Sequence, residues 1–175
     1  YFGQLSGQSI WSPAIFTIDK LVEYATQMKT ADRLGLIFDL YEVYINVQKK
    51  VSREEEDFTF DKFYNLGETI LNDINELDSY LIDIKNLFAN IKDIEQYNDL
   101  SDIFDEEQQD VLTRFWKHFS VENASIEKQK FMDLWEMMPL IYDEFSKNLL
   151  EKKYAYKGLI YRVLNEKIQQ KEVKL

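Results

Sequence analysis

The sequence predicts an all-α fold, an irregular bundle of about six or seven helices with a short extended N-terminal segment. Three observations carry that expectation. Glycine and proline are scarce, five and two in 175 residues, whereas many-stranded folds need both for tight turns. Apolar residues recur at helical spacing along most of the chain, most clearly from Phe60 to Leu81. Signals for strands are confined to the first sixteen residues.

Residues 1–16 form the extended segment, where Pro13 biases Ser12 toward β or polyproline geometry, and residues 17–175 form one helical domain. Thr17 is placed to cap a first helix over 17–28, with Ile18, Leu21, Val22 and Ala25 on its inner face. Thr30 is placed to cap a second, reaching about residue 49. Its apolar positions make two stripes, Leu34, Ile37, Phe38, Tyr41, Tyr44, Ile45 and Leu36, Leu40, Val43, Val47, and a helix apolar nearly all round is a central one. Residues 53–57 read as a charged loop. In the third helix Phe60, Phe63, Tyr64, Gly67, Ile70, Leu71, Ile74, Leu77 and Leu81 share a face, opposite Asp61, Asn65, Glu68, Asn72, Asp73 and Glu76. Gly67 costs up to about 1 kcal/mol relative to alanine in a helix, which predicts that another backbone packs closely there. One or two short helical turns are expected around 85–90. Asp105 then resembles a cap for a helix bearing Val111, Leu112, Phe115, Trp116 and Phe119. After a polar turn at 121–124, Ser125 is placed to cap a long helix with an inner stripe of Phe131, Leu134, Trp135, Met138, Ile141, Tyr142, Phe145 and Leu149. Pro139 predicts a kink in it, since proline lacks a donor and clashes with the carbonyl of Trp135. The last helix, 157–171, carries Ile160, Tyr161, Val163, Leu164 and Ile168 and frays at its polar end.

Composition narrows the chemistry. A 21.0 kDa chain can bury a core without a disulfide or metal staple. With no cysteine there is no thiolate zinc site and no cysteine nucleophile. His118 is the one histidine and reads as a surface residue near a helix end, which leaves histidine-dependent hydrolases almost no material. Gly3 and Gly7 are not followed by the lysine and hydroxyl residue of a phosphate-binding loop. Asp73, Glu76, Asp78 and Asp83 read as solvated carboxylates rather than a metal or acid–base site.

The net charge of −11 is uneven. Residues 145–175 hold eight Lys/Arg against three Glu, leaving −16 on residues 1–144. An acidic body repels phosphate, so nucleic-acid contact is expected only from the basic tail or a local patch, and the competing reading of that tail is a solvated helix end. Tyr154, Tyr156 and Tyr161, interleaved with Lys152, Lys153, Lys157 and Arg162, suit base stacking with phosphate contact, although packing is the favoured reading. Phe115-Trp116 and Leu134-Trp135 read as core anchors. No apolar run approaches a membrane span and no signal peptide opens the chain, so a cytoplasmic location is expected. The first residue, Tyr1, predicts a processed chain or an excised fragment.

Four stretches carry a family resemblance: IWSPAIFTIDKLV (10–22), FDKFYNLGETILNDINELDSYLIDIKNLFANIKDIE (60–95), FDEEQQDVLTRFWKHF (104–119) and LLEKKYAYKGLIYR (149–162). In order, they resemble the helicase-like N-terminal part of AddB-type proteins of the Bacteroidetes kind, related to superfamily I helicases. That family carries a string FD-x-F…WG-x-x-LL-x-DFN-x-ID-x-YL, then FW-x-x-F, then AYEG-x-IYR. Leu66 stands where the family often has Trp, and Ile74 where it often has Phe. The resemblance implies a large parent with an often degenerate ATPase-like region and a C-terminal PD-(D/E)XK nuclease domain, acting in DNA end processing and recombinational repair. This chain would be its helical 1B-type insertion, without catalytic residues, metal or cofactor of its own. ATP and magnesium would belong to the parent. The implied partners are the remaining helicase-like and nuclease domains, and DNA through the parent.

Three readings follow. The first is a non-catalytic domain that positions DNA or docks on the ATPase core, with Trp11, Ser12, Thr17, Lys152, Lys153, Lys157 and Arg162 as candidate DNA contacts. The second is a helical scaffold that binds only protein. The third, a free-standing hydrolase built on clustered carboxylates, is not expected.

Overall fold

The computed structural model describes residues 15–51, 59–84 and 125–171 and the single positions 87, 107 and 110. These form helices α1 (Ile18–Thr26), α2 (Arg33–Val51), α3 (Phe60–Ser79), α4 (Ser125–Lys152) and α5 (Lys157–Gln169), with two short strands, β1 (Lys29–Thr30) and β2 (Tyr154–Ala155). The fold is all-α, with five helices among the described residues rather than six or seven. The turns expected at 85–90 and the helix after Asp105 lie largely outside them, although positions 84, 87, 107 and 110 are helical. The extended segment as far as residue 14, the loop at 53–57, Phe115, Trp116 and His118 also lie outside the described residues.

Thr17 caps α1, its hydroxyl accepting from Lys20 N at 3.3 Å. The helix ends earlier than expected because Gln27 takes the left-handed conformation (φ 58°) and sends Met28 into the core. Its inner face is rotated from the expected one. Val22 and Thr26 are buried, whereas Ile18 and Leu21 face outward at 78% and 40% exposure. Asp32, not Thr30, caps α2, accepting from Gly35 N at 2.8 Å. Thr30 is instead drawn into β1, which pairs in parallel with β2 in the register Lys29↔Tyr154 and Thr30↔Ala155. The strand pairing therefore lies here, outside the stretch where strand signals stood. Flanking bonds from Lys29 N to Lys153 O and from Ala31 N to Ala155 O, both 3.0 Å, complete the bridge.

The core forms where α3 packs against both α2 and α5, and α4 packs along α2 while reaching α3 through Tyr142. Phe63, Ile70, Ile74 and Leu77 on α3 are fully buried, each contributing roughly 1.5–3 kcal/mol relative to exposure. The central placing of α2 agrees with its two stripes, although Leu34 and Phe38 remain about half exposed and Phe38 stacks on Phe60 at 4.0 Å. Asp73 and Asp78, assigned to the solvated face, are buried instead. At Gly67 the close neighbours are the side chains of Phe63 and Ile37 rather than another backbone. Helix α4 continues on both sides of Pro139, burying Leu134, Met138, Ile141, Tyr142, Phe145 and Leu149.

Candidate functional site

The stretch from α4 through α5 supplies cations and tyrosines, and the acids that receive them lie on three different helices. Lys153, at φ 57°, ends α4 and turns the chain into β2. On α2, Asp39 accepts from Lys152 Nζ at 2.6 Å and from Tyr154 Oη at 2.5 Å. On α1, Asp19 accepts from Lys157 Nζ at 3.0 Å and from Tyr161 Oη at 3.2 Å. On α3, Asp78 accepts from three donors: Tyr142 Oη (2.7 Å), Tyr156 Oη (2.5 Å) and Arg162 Nε (2.5 Å). The Arg162 Nη2 donates to Ile82 O at 2.6 Å. Asp78 is fully buried, so these donors replace its lost hydration. Beside it, Gly158 N donates to Asn75 Oδ1 at 2.9 Å, seating the first turn of α5 on α3.

The electrostatics follow from these pairings. The Asp19 contact raises the pKa of Lys157, and the Asp39 contact raises that of Lys152, so both ammonium groups stay charged. Asp19 is lowered, chiefly by its bond to Lys157. Burial first, and then the charge of Asp78, pushes the hydroxyls of Tyr142 and Tyr156 up, away from the neutral range where a general acid or base works. Groups raised in the folded state contribute stability that is complete below the unfolded value and lost as pH climbs past it. The unfolding free energy is therefore expected to fall steeply above pH 10.0, by about 1.4 kcal/mol per pH unit for each of these two tyrosines. Replacing both with phenylalanine is expected to remove most of that alkaline slope, and an unchanged slope would contradict the assignment.

No family model, curated protein or solved structure matches this chain. Its own geometry is what bears on the candidate contacts. Trp11 and Ser12 lie outside the described residues, and the Thr17 side chain is engaged as the α1 cap. Lys152, Lys157 and Arg162 are each drawn to a different helix, and the Arg162 side chain is only 19% exposed. Among the described residues, Lys153 alone of the four cations has no carboxylate within reach. The tyrosines offered for base stacking are the hydroxyl donors of the same three carboxylates.

An open cleft of about 680 Å³ lies between α4 and α5. Asp83, Asp143, Glu151 and Glu166 outnumber Lys147 and Arg162 on its walls, an arrangement poorly suited to phosphate. Among the described residues no group of three or more acids or histidines could hold a metal ion, and no described helix is long and apolar enough to cross a membrane. Asp39, Asn75 and Gly158 escaped the sequence reading, and Asp78 was read as solvated. A signal existed for two of them: Asp78 stands four residues after Ile74 and seven after Leu71, and Asp39 stands three after Leu36 and four before Val43, so both occupy apolar register.

Proposed function

We propose that this chain is the non-catalytic helical domain of an AddB-type DNA helicase–nuclease, serving as a rigid part that docks on the ATPase core during DNA end processing and recombinational repair. One observation carries the reading. Asn75, Asp78, Tyr156, Gly158 and Arg162 all match the family strings, and they bond to one another across the α3–α5 junction. Residues that match a family pattern at two distant places, and pair with each other, mark a shared packing element rather than a reactive centre. Tyrosines with raised pKa values and cations already paired with internal carboxylates favour docking over direct DNA contact.

The second reading, a protein scaffold outside any DNA machine, draws support from the outward apolar side chains of Ile15, Phe16, Ile18, Tyr24 and Leu34. Titration of labelled single-stranded DNA at two salt concentrations, joined to the reading frame around the chain, tests both. Expected are binding no tighter than to an acidic control protein, without a salt slope, and an ATPase-like region upstream with nuclease carboxylates downstream. Salt-sensitive binding would restore direct DNA contact. A frame encoding only these residues after a start codon would overturn the AddB-type assignment.

A further inference from the structure

Helix α1 is attached differently from the rest. Among the described residues, helices α2, α3, α4 and α5 each give two or more side chains to the buried core, whereas α1 rests on α5 and gives it Val22 alone, with Thr26 buried beside it. The Thr26 hydroxyl is turned back onto Val22 O at 2.7 Å. Most of the apolar stripe of α1 is left outside, with Ile18 exposed and Tyr24 stacked on Phe16 at the surface. What holds α1 down is polar: Asp19 to Lys157 and Tyr161, Lys167 Nζ to Thr26 O at 3.0 Å, and Glu23 Oε1 accepting from Thr30 N at 3.1 Å. Asp19 and Lys157 are each about half exposed, a setting in which dissolved ions screen the pair.

A hinge stands at the C-terminal end of α1. Gln27 is left-handed, and directly after it Met28 is buried and Lys29 is fastened to β2, so the chain beyond Gln27 has anchors other than its two bonds to α1, Met28 N to Thr26 Oγ1 at 3.4 Å and Thr30 N to Glu23 Oε1. We propose that α1 is a latch that swings about Gln27, closing at low ionic strength and leaving α5 as ionic strength rises, while the α2–α5 body stays folded. Opening frees Lys157 and Tyr161 from Asp19 and uncovers the seam between Val22 and Ile160. This goes beyond the docking role and does not depend on it.

Amide hydrogen exchange on the full chain at low salt and at 1 M sodium chloride, where the screening length falls to about 3 Å, reads the latch directly. Amides 21–26 are expected to exchange about two- to fivefold faster at high salt, while amides 70–78 of α3 keep their rates. In the Asp19→Asn variant, which keeps an oxygen for Tyr161 but removes the charge, α1 is expected to exchange fast at both salt concentrations. Equal α1 rates in the two salts would overturn the latch. So would a parallel change in α3, or a salt response that survives Asp19→Asn.

Discussion

Asp78→Ala is expected to lower the unfolding free energy by about 3–5 kcal/mol, measured as a shift of the urea midpoint. The carboxylate is the shared acceptor of Tyr142, Tyr156 and Arg162, and its loss leaves a largely buried guanidinium without its counter-charge and two buried hydroxyls without an acceptor. Against a typical stability of about 5–15 kcal/mol this is enough to bring the chain near unfolding. Phenylalanine at Tyr142 or Tyr156 alone removes one donor and is expected to cost only about 1 kcal/mol. The combination Asp78→Leu, Arg162→Met, Tyr142→Phe and Tyr156→Phe removes the carboxylate and its three donors together, leaving only Ile82 O without the Arg162 donor, and is expected to recover most of the loss. If Asp78→Ala costs no more than a single tyrosine change, the junction is not the lock described.

Gly158→Ala is the second large effect, and two physical terms oppose each other in it. Helix propensity alone predicts a gain of about 1 kcal/mol, since alanine is the better helix former. A methyl group at this position, however, would fall well inside van der Waals contact distance of the Asn75 carbonyl oxygen, and would also press on Asp78 Cβ and Ser79 Oγ at 3.0 Å. Backbone atoms inside α3 cannot turn aside as a flexible side chain can. The first turn of α5 must therefore lift, weakening the Gly158–Asn75 bond and the reach of Tyr156 to Asp78. Overpacking of this kind costs typically about 1–3 kcal/mol and the weakened polar contacts about 1 more, so against the helix gain a net destabilisation of about 1–3 kcal/mol is expected. A thermal midpoint equal to or above that of the parent chain would show that α5 has room to spare.

Most of the helical frame was legible because the burial pattern follows apolar period. The Thr17 cap and the α3 stripe stand where spacing placed them, except Leu81, which lies past the helix end in a left-handed turn and is exposed. Errors arose where polar groups took positions that periodicity reserves for other types. Thr30 looked like a cap by residue type, yet the parallel bridge engages its backbone and Asp32 takes the capping role. The rotation of α1 follows from its polar ties to α5, which no single-helix pattern encodes. The close backbone approach expected at Gly67 stands at Gly158 instead, where a glycine at the start of a helix interrupts no apolar stripe and so drew no notice. Lys152, Lys157 and Arg162 were read as a basic surface, since their acidic partners stand more than a hundred residues away for the first two and 84 away for the third.

That separation governs how the protein is born. Asp39 leaves the ribosome 113 residues ahead of Lys152, a wait on the order of ten seconds at common translation speeds. During that interval helices α2 and α3 carry Asp39 and Asp78 before the matching bases exist, so the two helices are joined by apolar contacts and by the exposed reach of Arg33 to Glu68 and Asn72. Synthesis of the stretch from Lys152 to Arg162 then fastens three helices almost at once, and a transcript truncated ahead of Lys152 would yield a product that lacks every one of those bases.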